Sequence, residues 1–125
     1  MKPRSFAVGI VDDDPRLLES LGDLLKSVGY AVKAFPSGDA FLDQASLDDI
    51  GCLVTDVSMP GMNGYELQQL VSLRAPGLAV IFITGNSDLM EAAEADGFSR
   101  GKHFQKLCGS HALLEAVAEA VKTRS

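Results

Sequence analysis

At 125 residues, with 46% apolar and 22% charged side chains, the chain is sized for one domain around a single buried core. Its 11 basic and 17 acidic residues leave a formal net charge of −6, which argues against a chain that itself grips DNA or an anionic membrane. No apolar run approaches the ~20 residues that span a bilayer, and Lys2 and Arg4 precede too short an apolar stretch for a secretory leader, so the cytoplasm is the expected compartment.

The first apolar run, Phe6–Val11, reads as a strand and stops at Asp12, Asp13 and Asp14. Leu17, Leu18, Leu21, Leu24, Leu25 and Val28 then recur at helical spacing, with Pro15 suited to the first turn and Gly29 to the stop. A second run, Ala31–Phe35, leads to a short helix over Gly38–Ala45 with Ala40, Phe41 and Ala45 facing inward. The third run, Cys52–Thr55, ends at Asp56. After Gly64 comes a helix whose buried stripe is read as Tyr65, Leu67, Leu70 and Val71, closed by Ala75, Pro76 and Gly77. The fourth run is Ala79–Thr84. A fourth helix, at about Asp88–Ala95, has few large apolar anchors and is expected to be the most mobile of the set. Lys102–Gln105 gives a weaker fifth strand. The last helix runs from Ser110 as N-cap to about Lys122, with Leu113, Leu114, Val117 and Val121 on one face.

This (βα)5 alternation predicts an α/β fold: a doubly wound, parallel, five-stranded sheet with right-handed crossovers and helices on both faces. No linker or internal repeat interrupts it, so residues 1–125 read as a single domain. Cys52 and Cys108, neither in a Cys-x-x-Cys pair, read as reduced structural thiols and not as a zinc or redox motif.

In a sheet of this kind ligands bind beyond the carboxyl ends of the strands. Asp12, Asp13, Asp56, Thr84 and Lys106 all follow strand ends, and the first and third runs side by side would gather three carboxylates in one pocket. Such charges repel at neutral pH unless a cation sits among them, and oxygen donors with no His or Cys nearby suit Mg²⁺. The pocket thus reads as a metal-dependent phosphate or phosphoryl site. Gly61, Gly64 and Gly85 read as turn formers, and no glycine-rich loop closed by Lys-Ser/Thr is present, which disfavours a nucleoside triphosphatase.

The stretches Val-Asp-Asp-Asp-Pro, Leu-Val-Thr-Asp-Val-Ser-Met-Pro-Gly-Met-Asn-Gly, Ile-Phe-Ile-Thr-Gly and His-Phe-Gln-Lys follow in that order. They resemble the receiver domain of two-component response regulators, and the likeness covers essentially the whole chain. The resemblance implies a flavodoxin-like receiver fold and a phosphoacceptor role for Asp56, with a sensor histidine kinase or histidine phosphotransfer protein as donor. It further implies Mg²⁺ held by Asp13 directly, by Asp12 mostly through water, by Asp56, and by the backbone carbonyl of Ser58. Asp14, beyond the end of the apolar run, is read as solvated. Lys106 would pair with Asp56 at rest and with the phosphoryl group afterwards, while Thr84 would donate its hydroxyl to a phosphoryl oxygen. The switch would be delivered by the face made of the fourth helix, the fifth strand and the last helix. Output would pass to an effector domain or output protein, or through a phosphorylation-dependent homodimer. Such a protein accepts a phosphoryl group on itself and is not a turnover enzyme, and the domain itself binds neither nucleic acid nor membrane.

The chain departs from the family pattern mainly in its last third. Leu107 stands where the family has a proline after a cis bond. A cis bond before a non-proline residue costs ~3–4 kcal/mol, so a trans Lys106–Leu107 bond and a rearranged following loop are predicted. His103 stands where the family has Tyr or Phe; its imidazole would give the switch pH sensitivity near neutrality, or it faces solvent on an edge strand. Asp96 to Gly101 replace the usual Gly-Ala pair. In the family the resemblance points to, the residues two past the Asp and two past the Thr tune dephosphorylation. Here they are Ser58 and Asn86, and neither obviously positions a hydrolytic water, which points to a moderately long-lived phosphoryl group. Two rivals follow. A degenerate receiver would act as a phosphorylation-independent protein-binding module. A Mg²⁺ phosphatase of the haloacid-dehalogenase type would want a second Asp where Ser58 stands.

Overall fold

The computed structural model describes residues 6–84, 102–105 and 110–123. Five strands, β1 (Ala7–Val11), β2 (Ala31–Phe35), β3 (Ile50–Asp56), β4 (Ala79–Thr84) and β5 (Lys102–Gln105), form one sheet in the order β2-β1-β3-β4-β5. Every pairing is parallel. The helices are α1 (Pro15–Ser27), α2 (Gly38–Gln44), α3 (Gly64–Arg74) and a C-terminal helix (Ser110–Thr123), with a 3₁₀ turn at Leu47–Asp49. This is the doubly wound arrangement that the alternation predicts.

The central strands read as unbroken apolar runs because helices cover both of their faces. All of β1 and all of β3 are buried. On one face Val11, Leu53 and Phe82 pack with Phe41, Leu67 and Val71 of α2 and α3. On the other, Ile10, Val54 and Ile83 pack with Leu21 and Leu25 of α1 and with Leu113 and Val117 of the C-terminal helix. Neighbouring strand residues thus serve opposite cores, as the period of two requires. β2 lies at an edge, and only Phe35 of its five residues is buried. Its ring meets Phe41 edge-on, with centroids 5.2 Å apart.

Helix ends follow local chemistry. Asp14 caps α1 through its carboxylate, Pro15 fills the first turn, and Gly29 closes the helix in the left-handed region at φ 101°. The N–H of Tyr30 reaches back to the carbonyl of Leu25 at 3.1 Å across that turn. Asn63 and Glu66 form a reciprocal capping box on α3, with N–H to side-chain oxygen distances of 2.9 and 3.0 Å.

Several readings shift. β3 is longer than its apolar core suggests and takes in Asp56 itself. Gly64 is the first residue of α3 rather than its prelude, and Ser110 lies inside the last helix rather than capping it. Leu70 is 37% exposed, because Leu67 and Val71 define the buried face and Leu70 lies about 100° around the helix from Val71. The predicted fourth helix and the trans Lys106–Leu107 bond fall outside the described residues. Among those described, no helix is long and apolar enough to cross a membrane.

Candidate functional site

β1 and β3 are neighbours, with Val11 in register opposite Thr55. Asp12, one residue past β1, therefore lies beside Asp56, the last residue of β3. Both are buried, Asp12 at 1% and Asp56 at 2% exposure, while Asp13 is exposed. One oxygen from each of the three carboxylates lies within 4.8 Å of the others. Two acidic side chains set in the floor and a third at the rim make a half-open, all-oxygen donor set. That is the chemistry a hard divalent cation takes.

Local hydrogen bonds orient these groups. The N–H of Asp12 extends the sheet to the carbonyl of Phe35 at 3.2 Å. Asp12 Oδ1 accepts the N–H of Asp14 at 2.8 Å, which turns the chain into α1. Asp14 leaves the cluster: its Oδ1 accepts the N–H of Arg16 at 2.9 Å and lies 3.7 Å from that residue's Nε. The solvated Asp14 expected from the sequence is only partly what the fold shows. It is part-exposed but has a defined task as a helix cap, and this separates it from Asp12 and Asp13.

Asp56 Oδ1 accepts the N–H of Ser58 at 3.3 Å. The N–H of Val57 bonds the carbonyl of Ile83 on β4 at 3.0 Å, and the carbonyl of Val57 accepts the N–H of Gly64 at 2.9 Å. A Cβ on Gly64 would collide with the carbonyl oxygen of Asp56, so the first turn of α3 rests directly on the backbone of the acidic residue. Gly64 is thus more than the turn former its sequence context predicts. The requirement is set by this approach, which only the folded chain reveals. Thr55, buried and one residue before Asp56, carries no signal in the sequence beyond its strand; its hydroxyl donates to the carbonyl of Asp56 at 3.1 Å.

The remaining candidates sit on the same sheet edge to differing extents. Thr84 ends β4 opposite Gln105, and His103 lies in β5 opposite Phe82. Ser58 is exposed beside Asp56. Asn86 and Lys106 lie outside the described residues. Cys52, buried in β3, has its thiol pushed up to about 12 from 9.0 by burial, so it is protonated and inert at neutral pH.

Comparison with known proteins places this geometry. A family model described as "Response regulator receiver domain" matches residues 8–118. The chain is 41% identical over 115 residues to the transcriptional regulatory protein FixJ of Azorhizobium caulinodans, covering 92% of this chain and 54% of that protein. It is 34% identical over 122 residues to the response regulator protein TodT of Pseudomonas putida, covering 98% of this chain and 54% of that protein. The chain thus spans about half the length of these relatives. Among solved structures, FixJ-N superposes with a TM-score of 0.80 at 34% identity, covering 98% of this chain and 96% of that one. The response regulator StyR gives a TM-score of 0.84 at 33% identity, covering 96% of this chain and 61% of that one. Acidic cluster, sheet order and family match agree: the chain belongs to the receiver-domain family of two-component response regulators, with the phosphoacceptor role of that family.

Proposed function

We propose that Asp56 is the phosphoacceptor, and that Asp12, Asp13, Asp56 and the backbone carbonyl of Ser58 hold a Mg²⁺ ion at the ends of β1 and β3. The observation that carries this reading is the convergence of three carboxylates on one strand-end pocket, with Asp56 aimed by the N–H of Ser58. A carboxylate oxygen of Asp56 attacks the phosphorus carried by a donor histidine. The P–O bond forms as the P–N bond breaks, the electron pair returns to the imidazole nitrogen, and that nitrogen takes up a proton from solvent. The product is an acyl phosphate on Asp56. Bound Mg²⁺ would neutralise charge on the carboxylates and the incoming phosphoryl oxygens.

Thr84, at the end of the strand beside Asp56, would donate its hydroxyl to a phosphoryl oxygen. Lys106, just past the end of β5, would neutralise the same group. His103, three residues before it, would relay the change to the neighbouring surface, while Ser58 and Asn86 would set the lifetime of the acyl phosphate. The protein is modified once per cycle and does not turn over an external substrate. Its partners would be a cytoplasmic histidine kinase or phosphotransfer protein on the input side and an effector domain or output protein on the other. The chain would be one receiver domain, alone or as the N-terminal part of a longer regulator. Relatives named as transcriptional regulators support gene control as the eventual output. The complete acidic set disfavours a degenerate binding module.

Intact mass after incubation with a small phosphodonor tests the reading. Wild type should gain one phosphoryl group only when Mg²⁺ is present, and Asp56→Asn should gain none. A label that persists in Asp56→Asn would move the acceptor elsewhere.

A further inference from the structure

The peptide unit that leaves Asp56 is held at both poles. Its N–H, on Val57, bonds Ile83 on β4 at 3.0 Å, and its carbonyl oxygen accepts the Thr55 hydroxyl at 3.1 Å. Thr55 is fully buried. A valine would fill nearly the same volume with no polar atom to satisfy, so what the hydroxyl adds is a donor on that one carbonyl. We propose that Thr55 is a positioning residue for phosphoryl acceptance: its hydroxyl fixes the plane of the Asp56–Val57 peptide and thereby the aim of the Asp56 carboxylate and the direction of the chain through Ser58. The proposal rests on the reading of Asp56 as acceptor.

The geometry makes this plane consequential. Ser58 comes two residues after Asp56 and its N–H lies on Asp56 Oδ1 at 3.3 Å. Rotating the peptide would move that N–H away from the carboxylate and swing the carbonyl of Ser58, proposed above as a metal ligand. Gly64 closes the other side, since the missing Cβ is what lets α3 settle against the Asp56 carbonyl without displacing it. The hydroxyl of Thr55 and the bare face of Gly64 thus act on the same oxygen from different elements. Thr55 touches neither phosphorus nor metal and acts through the backbone of its neighbour. Phosphoryl transfer depends mainly on in-line positioning and charge neutralisation, so a small misalignment of the carboxylate is felt in rate.

The test compares Thr55→Val, Thr55→Ala and Thr55→Ser with wild type. The labelling rate with acetyl phosphate at saturating Mg²⁺, the Mg²⁺ concentration giving half that rate, and the thermal midpoint are each measured. Thr55→Val is expected to label roughly five- to tenfold more slowly and to need more Mg²⁺, with its midpoint close to that of wild type. Thr55→Ser, which keeps the donor, should label within about twofold of wild type although it loses a buried methyl. If Thr55→Val does not fold, the Thr55→Ser and Thr55→Ala pair decides, with Thr55→Ala expected to be the slow one. Equal labelling rates for hydroxyl and non-hydroxyl variants would overturn the positioning role alone, and a change confined to the thermal midpoint would make Thr55 merely structural. A wild type that takes no label, or an Asp56→Asn protein that does, would overturn the acceptor reading and this inference with it.

Discussion

At the scale of single residues, Cys52, on the strand that carries Asp56, shows what burial does to an acid group. Cys52 sits in the fully buried body of β3, where the charged form has no water or partner to stabilise it. Its thiol is therefore pushed up to about 12 from 9.0. The folded chain keeps this proton between pH 9 and about 12, whereas the unfolded chain releases it. Stability that is intact below pH 9 is consequently lost as pH rises through that window. Urea unfolding of wild type and Cys52→Ala across it should give a steeper decline for wild type, by up to one proton, or about 1.4 kcal/mol per pH unit. Parallel declines would rule out Cys52 as the cause. That Asp12, Asp13 and Asp56 cluster was legible from the sequence because two apolar runs each end in carboxylate and parallel strands place such ends on one edge. Thr55 was not, since a β-branched residue in a strand satisfies propensity whether or not its hydroxyl does anything.

At the scale of elements, α3 is the part of the fold most tightly tied to the site. Its capping box anchors the loop that runs from Asp56 through Pro60 and Gly61, and its first residue rests on the Asp56 backbone. Replacing Asn63 by Ala removes the cap and should lower stability by about 1 kcal/mol, measured by urea unfolding. A loss of under a few tenths of that would mean that water serves the α3 N-terminus equally well. The cap was missed in the sequence because Gly64 drew the helix boundary, although Asn63 and Glu66 stand at capping-box spacing. The helical stripe of α1 is legible because its apolar residues recur over several turns, except at Val28, which caps the C-terminus of the helix and is 52% exposed. Leu70 was misplaced because α3 offers apolar residues at both three- and four-residue spacings, and the core admits only the face bearing Leu67 and Val71. β2 looked like the other apolar runs, but its burial depends on being at the sheet edge.

For the whole molecule, three carboxylates held within 4.8 Å of one another store repulsion that a cation would relieve. Mg²⁺ should therefore raise the thermal midpoint of wild type, with a stabilisation of about 2.7 kcal/mol at a hundred times its dissociation constant. Asp13→Asn should unfold at a higher temperature than wild type when Mg²⁺ is absent and respond less when it is added. An identical Mg²⁺ response in both proteins would remove Asp13 from the metal set. The sequence by itself determined the alternation of strands and helices, the parallel two-faced sheet, the family and the acidic residues at strand ends, because these depend on local periodicity and on a motif read in one dimension. The tertiary structure alone decided that β1 and β3 lie in register, so that Asp12 faces Asp56 across the switch point while Asp14 is drawn off to cap α1. It alone also brought Gly64 and the Thr55 hydroxyl onto one carbonyl oxygen. Those relations are contacts between surfaces distant along the chain or hydrogen bonds set by strand geometry, and no local pattern encodes the distance at which two folded elements come to rest.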